Sequence, residues 1–264
     1  MAGLGAWAII LKMIRHSLTQ EYKDSPMDLV EKNASPLLGN LAAQAAADER
    51  SDFIVKTYLH LAAAIGLFVG LETLLLSIPG IEGLVQMMIG SRFSWLVVLG
   101  LFIGVSYLAN SWATSAVSRP TQYLGLLLYV VAEAFIFVPL LFIAIAVDPQ
   151  IITSAAITTL VLFAGLTAIV FLTRKDFSFL RSILLFGGFA ALGLIVVGIV
   201  FQFNLGPIFT YAMIAFACAY ILYDTSNVLH HYRIGQHVAA SLALFASVAL
   251  LFWYIVQLFL ARRN

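Results

Sequence analysis

Apolar residues fall into seven long runs separated by short polar breaks, at residues 58–78, 93–113, 123–147, 151–172, 179–203, 208–229 and 238–261. A bilayer's hydrocarbon core is about 30 Å thick, and a helix rising about 1.5 Å per residue crosses it in roughly 20 residues. Each run therefore predicts a membrane-spanning helix, and none contains an uninterrupted polar block. The breaks carry helix-stopping residues: Pro79 with Gly80, Arg119 with Pro120, Asp148 with Pro149, the basic Thr173-Arg174-Lys175-Asp176, Asn204 to Pro207, and the polar stretch from His230 to His237. Such short connections predict antiparallel neighbours in one all-α domain over residues 51–264, with no room for an extramembrane domain.

Residues 1–50 follow another pattern. They are polar and mixed in charge from Gln20 to Lys32, after an apolar stretch from Gly3 to Ile14 that is too short to span. With no basic region in front of it and no small-residue cleavage site, this stretch reads as an interfacial helix or a disordered tail, not a cleaved signal.

Composition strengthens the membrane reading. Of 264 residues, 62% are hydrophobic and 10% charged, more apolar surface than a soluble domain can hide. The net charge of +1 points to neither nucleic acid nor an acidic substrate. Lys and Arg are unevenly placed: with the amino terminus inside, eleven fall on the inside face, and three, Arg92, Arg262 and Arg263, on the outside. This asymmetry predicts a cytoplasmic amino terminus. The basic carboxyl end resists that assignment, so six spans plus a re-entrant last helix stand as the alternative to seven full spans.

Ionisable residues inside a span are costly and mark candidate functional sites. Glu133 lies about ten residues into the third span, near the bilayer centre, as a buried hydrogen-bonded acid or as part of an ion path. Asp224 lies toward the inner end of the sixth span, in Tyr223-Asp224-Thr225-Ser226, either pairing structurally or serving as a gate. His230 and His231 follow it as a candidate pH-sensing pair, and adjacent histidines about 100° apart on a helix do not suit a metal. Glu72 is expected to snorkel to the headgroups, with an outer vestibule as the alternative. His60 and Asn110 read as interhelical hydrogen-bonding residues. Cys218 has no second cysteine to pair with. The last span carries small residues at Ala239, Ala243, Ala246 and Ser247, which permit close helix approach and suit a central, tightly surrounded helix.

No nucleophile elbow, zinc-protease helix, P-loop or dinucleotide fingerprint is present, and Glu133 and Asp224 are expected at different depths, too far apart for an aspartyl dyad. No enzyme activity, cofactor or metal is expected.

Four segments in order, Asp52-Phe53-Ile54-Val55-Lys56-Thr57-Tyr58, Glu133-Ala134-Phe135-Ile136-Phe137-Val138-Pro139, Thr173-Arg174-Lys175-Asp176-Phe177-Ser178 and Tyr223-Asp224-Thr225, give the chain a resemblance to the bacterial branch of the transmembrane Bax inhibitor motif family, from about Glu49 onward. The resemblance implies six helices around a hydrophobic seventh and, for some members, a pH-sensitive calcium leak; others look like modulators of membrane proteases or of cell death. In leak-competent members the sixth-helix aspartate pairs with an aspartate of the last helix, and an arginine of the second helix helps them close the pore. Asp224 fills the first of these positions. Ser247 stands at the second, and Asn110 is the strongest polar candidate in a second span without arginine.

Two functions follow as expectations. One is a cation leak taking calcium or protons, with Asp224 as gate and Glu133 along the path. The other is a non-conducting regulator that binds another membrane protein such as a membrane protease. A bacterial inner membrane is the expected location.

Overall fold

The computed structural model describes residues 39–115, 118–203 and 205–263, and of Arg92 the backbone alone. The interfacial helix or disordered tail expected near the amino terminus lies outside the described residues. After a 3-10 turn at Ala42–Gln44 the helices are α1 (Ala47–Leu76), α2 (Ile81–Ile89), α3 (Arg92–Ala113), α4 (Arg119–Val147), α5 (Gln150–Thr173), α6 (Leu180–Phe201), α7 (Gly206–His230) and α8 (His237–Arg263). Seven of them are long and apolar enough to cross a membrane. The chain is an all-α integral membrane protein.

Two elements exceed the apolar runs. Helix α1 begins at Ala47, well before its run, because its polar first turns remain good helix: Asp48 and Glu49 face the positive end of the helix dipole, and Lys56 pairs with Asp52 at 2.6 Å. Helix α2 is a short element within the first break. Left-handed Gly80 lets the chain turn after Pro79, and α2 then buries Ile81, Val85 and Met88 against the bundle. Its one-sided apolar pattern lay hidden between two punctuation marks.

Helix α8 is the core. In its central window 83% of residues are buried, against 56% for α4 and 17–28% for the other five spans. Helices α1, α3, α4, α5 and α7 pack directly on it. Helix α6 leans instead on α7, where Gly187 faces the Phe216 ring and the Tyr220 hydroxyl donates to the Leu184 carbonyl at 3.4 Å. Of the six surrounding helices that the resemblance implies, five thus make principal contacts with α8, and the sixth is held through its neighbour. The tightest pairing joins α3 to α4. A Cβ at Gly125 would lie 2.4 Å from the Ala109 carbonyl oxygen and from the Ala113 amide nitrogen, so only glycine permits this approach.

The two ends of α8 settle whether it crosses. At one end the His237 ring lies against His60 of α1 and Tyr123 of α4; at the other, Arg263 pairs with Asp148, between α4 and α5, at 2.8 Å. One unbroken helix of 27 residues, about 40 Å long, connects them, so the re-entrant alternative gives way to a full span.

The end that holds His237 is closed by a strap. Residues 39–42 pair antiparallel with the α7–α8 connection through Gly39 N to Ile234 O (2.8 Å), Ile234 N to Asn40 O (2.9 Å) and Ala42 N to Tyr232 O (2.8 Å). Arg50 donates to the Leu229 carbonyl at the carboxyl end of α7, where helix carbonyls lack amide partners.

Candidate functional site

Asp224 occupies the face of α7 that meets α8, and only 2% of its surface is exposed. Its carboxylate accepts a hydrogen bond from the Ser247 hydroxyl of α8, itself within 3.1 Å of the Ala243 carbonyl. The sequence alignment that set Ser247 opposite Asp224 is therefore met in space. A hydroxyl has one proton and two lone pairs, so Ser247 donates to a charged Asp224 or accepts from a neutral one while donating to Ala243. The contact survives either state. Two aspartates at this place would repel when both are charged; the serine removes that repulsion.

A second acidic locus lies across α8. Glu133 of α4 is 3% exposed and Glu72 of α1 is 5% exposed, so Glu72 does not snorkel. The reason is rotational: Glu72 shares the inward face of α1 with Phe68, four positions earlier, and Phe68 packs edge-on against Phe137 of α4 and against Phe245 of α8. Distance from the helix end sets a residue's depth, but its angle round the axis decides whether it meets lipid or protein. The two carboxyls are near enough to repel if both are charged, and both Glu72 oxygens and Glu133 Oε2 lack hydrogen-bond partners among the described residues. The Tyr129 hydroxyl stands beside Glu133.

The expectation of different depths for Glu133 and Asp224 also changes. Tyr123 touches His237, and Glu133 and Ser247 each lie ten residues further along helices that run the same way, about 15 Å from that end. The two acids are thus at similar heights, with α8 between them. Phe245 faces α1 and α4 through Phe68 and Tyr129, whereas Ser247, about 200° further round α8, faces α7. The acids form no dyad because a helix separates them.

Other candidates group at the tail end. His60 Nε2 and His237 Nε2 lie 3.3 and 3.5 Å from the Tyr123 hydroxyl, which bridges imidazoles from α1 and α8. His60 keeps its expected interhelical role, while Tyr123 and His237, at the edges of apolar runs, carried no motif to mark them. His231 meets Asp176 of the α5–α6 loop at 3.1 Å, and His230 Nδ1 lies 3.0 Å from the Ser226 carbonyl. The two rings are linked through the Ser226 hydroxyl, which lies 3.5 Å from both His230 Nδ1 and Asp176 Oδ1. Burial pushes the Asp176 carboxyl up, but the Ser178 amide and the His231 ring outweigh it and hold Asp176 below the usual aspartate value. Ser226 accepts from the Phe177 amide at 2.9 Å, so the loop is pinned two residues beyond Asp224. Asn110 is half-buried in the last turn of α3, a helix that packs chiefly on α4, and it is not brought to Asp224.

Comparison with known proteins gives the family. The family model described as inhibitor of apoptosis-promoting Bax1 matches residues 50–264. The chain is 30% identical over 243 residues to Bax inhibitor 1 of Schizosaccharomyces pombe, covering 86% of this chain and 81% of that one. It is 29% identical over 197 residues to an uncharacterised protein of Pseudomonas aeruginosa, covering 72% and 85%. With the protein LIFEGUARD 4 of Arabidopsis thaliana it shares 32% over 152 residues, 54% of this chain and 59% of that one. No solved structure matches the chain. With an aspartate locked to the central helix, seven apolar spans and a family match running from α1 to the carboxyl end, the chain belongs to the Bax inhibitor-1 family of integral membrane proteins.

Proposed function

We propose that the protein is a slow, proton-controlled cation leak, calcium being the first ion to test, described here in its closed state. The observation that carries the reading is the Glu72 and Glu133 pair: two buried carboxyls in mid-bundle, with both Glu72 oxygens and Glu133 Oε2 finding no partner among the described residues. The lysines and arginines of α1 and α4 lie in their opening turns, far along the helix from these acids. Uncompensated acids inside a span are kept where protons or cations pass. On the other face of α8, Asp224 and Ser247 form the latch, and turning or sliding α8 would break their bond and open the interior. The concentration of Lys and Arg at the His237 end supports placing that end, with the amino terminus, in the cytoplasm of a bacterial inner membrane.

The test is calcium entry into proteoliposomes at pH 6 and pH 8. Flux above that of empty liposomes, altered by pH and reduced by Glu133→Gln, is expected, with Asp224→Asn, whose oxygen still accepts from Ser247, keeping the pH response. Flux equal to empty liposomes at both values overturns the reading. A second reading, a non-conducting regulator of another membrane protein, is favoured by Ser247 standing in for an acid, since one carboxyl against a hydroxyl lacks the repulsion of a charged pair. Stable copurification of a membrane protease from native membrane would support it.

A further inference from the structure

Arg262 and Arg263 sit uneasily in the charge pattern, at the end of the bundle where Lys and Arg are scarce. The structure gives them different surroundings. Arg263 pairs with Asp148, whose carboxylate also accepts from the Gln150 amide at 2.9 Å, so that acid is already committed twice. Arg262 is exposed and has no acidic partner among the described residues. Together they form one wall of a cavity of about 230 Å³ between the first turns of α5 and the last turn of α8. Gln150 and Ser154 supply polar atoms, and Ile151 and Phe259 an apolar floor. Two guanidiniums against one carboxylate leave a formal charge of +1 at the mouth (2 − 1).

We propose that this cavity binds the headgroup of an anionic phospholipid from the surrounding leaflet. Three features select a lipid over a soluble anion. The cavity lies at the end of two spanning helices, the level at which headgroups sit. Guanidinium groups match phosphate oxygens with paired donors, and basic pockets between membrane helices attract anionic headgroups. Below Ser154 the same face of α5 continues as Ile157 and Val161, three and seven positions on, both exposed to the bilayer. A polar mouth thus opens onto an apolar stripe along which an acyl chain can lie. The lipid would neutralise Arg262 and fasten the carboxyl end of the central helix to α5, independently of whether the protein conducts.

The experiment uses the full chain, purified in detergent from mixed phosphatidylglycerol and phosphatidylcholine bilayers, with retained lipid counted by native mass spectrometry. Preferential retention of phosphatidylglycerol is expected, falling about fivefold with Arg262→Gln, a loss typical of one basic residue near an anionic surface. Arg262→Lys is expected to keep most of it, and Ser154→Leu, which fills the cavity without changing charge, to lose it. Arg174→Gln, at the opposite end, should leave retention unchanged. Equal retention by wild type and Arg262→Gln, an equal loss with Arg174→Gln, or displacement of the lipid by millimolar inorganic phosphate would each overturn the proposal.

Discussion

Among single residues, Glu72 separates what hydropathy reads from what packing decides. Counting residues along α1 suggests an escape to the interface, whereas the face shared with Phe68 turns Glu72 toward Glu133. If the two acids share one locus, their effects on stability will not add. Thermal unfolding in detergent at neutral pH should give a coupling energy of about 0.5–3 kcal/mol between Glu72→Gln and Glu133→Gln. Glu72→Gln with Asp224→Asn, on opposite faces of α8, should add to within about 0.5 kcal/mol. Asp176 gives a pH-dependence of known sign. Its folded carboxyl titrates below the unfolded one, so its stabilisation is present above the ordinary aspartate value and is lost as pH falls through the folded one. The melting temperature of Asp176→Asn should therefore lie below that of wild type at neutral pH and converge on it below about pH 4. A constant gap down to pH 2 would remove the electrostatic explanation.

At the level of elements, α3 and α4 owe their contact to a missing methyl group. Gly125→Ala must push the Ala109–Ala113 backbone away at a cost of about 1–3 kcal/mol, read as a lower melting temperature. Gly104→Ala, on α3 with open space around it, is the control and should hold or raise stability through helix propensity. Equal effects would deny the close approach. Helix α8 admits a sharper change: Ser247→Asp sets a second carboxyl against Asp224, and under the proposed leak function calcium flux should acquire a steeper response between pH 6 and pH 8 than wild type. Length and hydropathy placed the spans, whereas the opposition of Ser247 to Asp224 came only from the family resemblance. Neither located α2, whose apolar face is too short to stand out from a break, or the His60–Tyr123–His237 cluster, whose members come from three helices and adjoin only once those helices are rotated into register.

At the scale of the molecule, the most deeply buried span is the one that follows the other six. Residues 39–42 fasten to the connection that directly precedes α8, and Arg50 to the end of α7 at Leu229, 179 positions further along the chain. Beginning and end of the domain are thereby joined into a closed circuit around a centre that arrives only after the six other spans. Six spans emerging first can pair with one another, and the strap already has Tyr232 and Ile234 to close on, but the centre has no filling. Maturation should therefore be a single late event. A chain stopped at Gln236 is expected to stay protease-sensitive in the membrane, and supplying residues 237–264 as a separate peptide should restore protection; protection of the truncated chain alone would show that the ring holds itself. A protein assembled in this order keeps its interior unsealed until α8 is in place, so quality control has one helix by which to tell a filled bundle from an empty one.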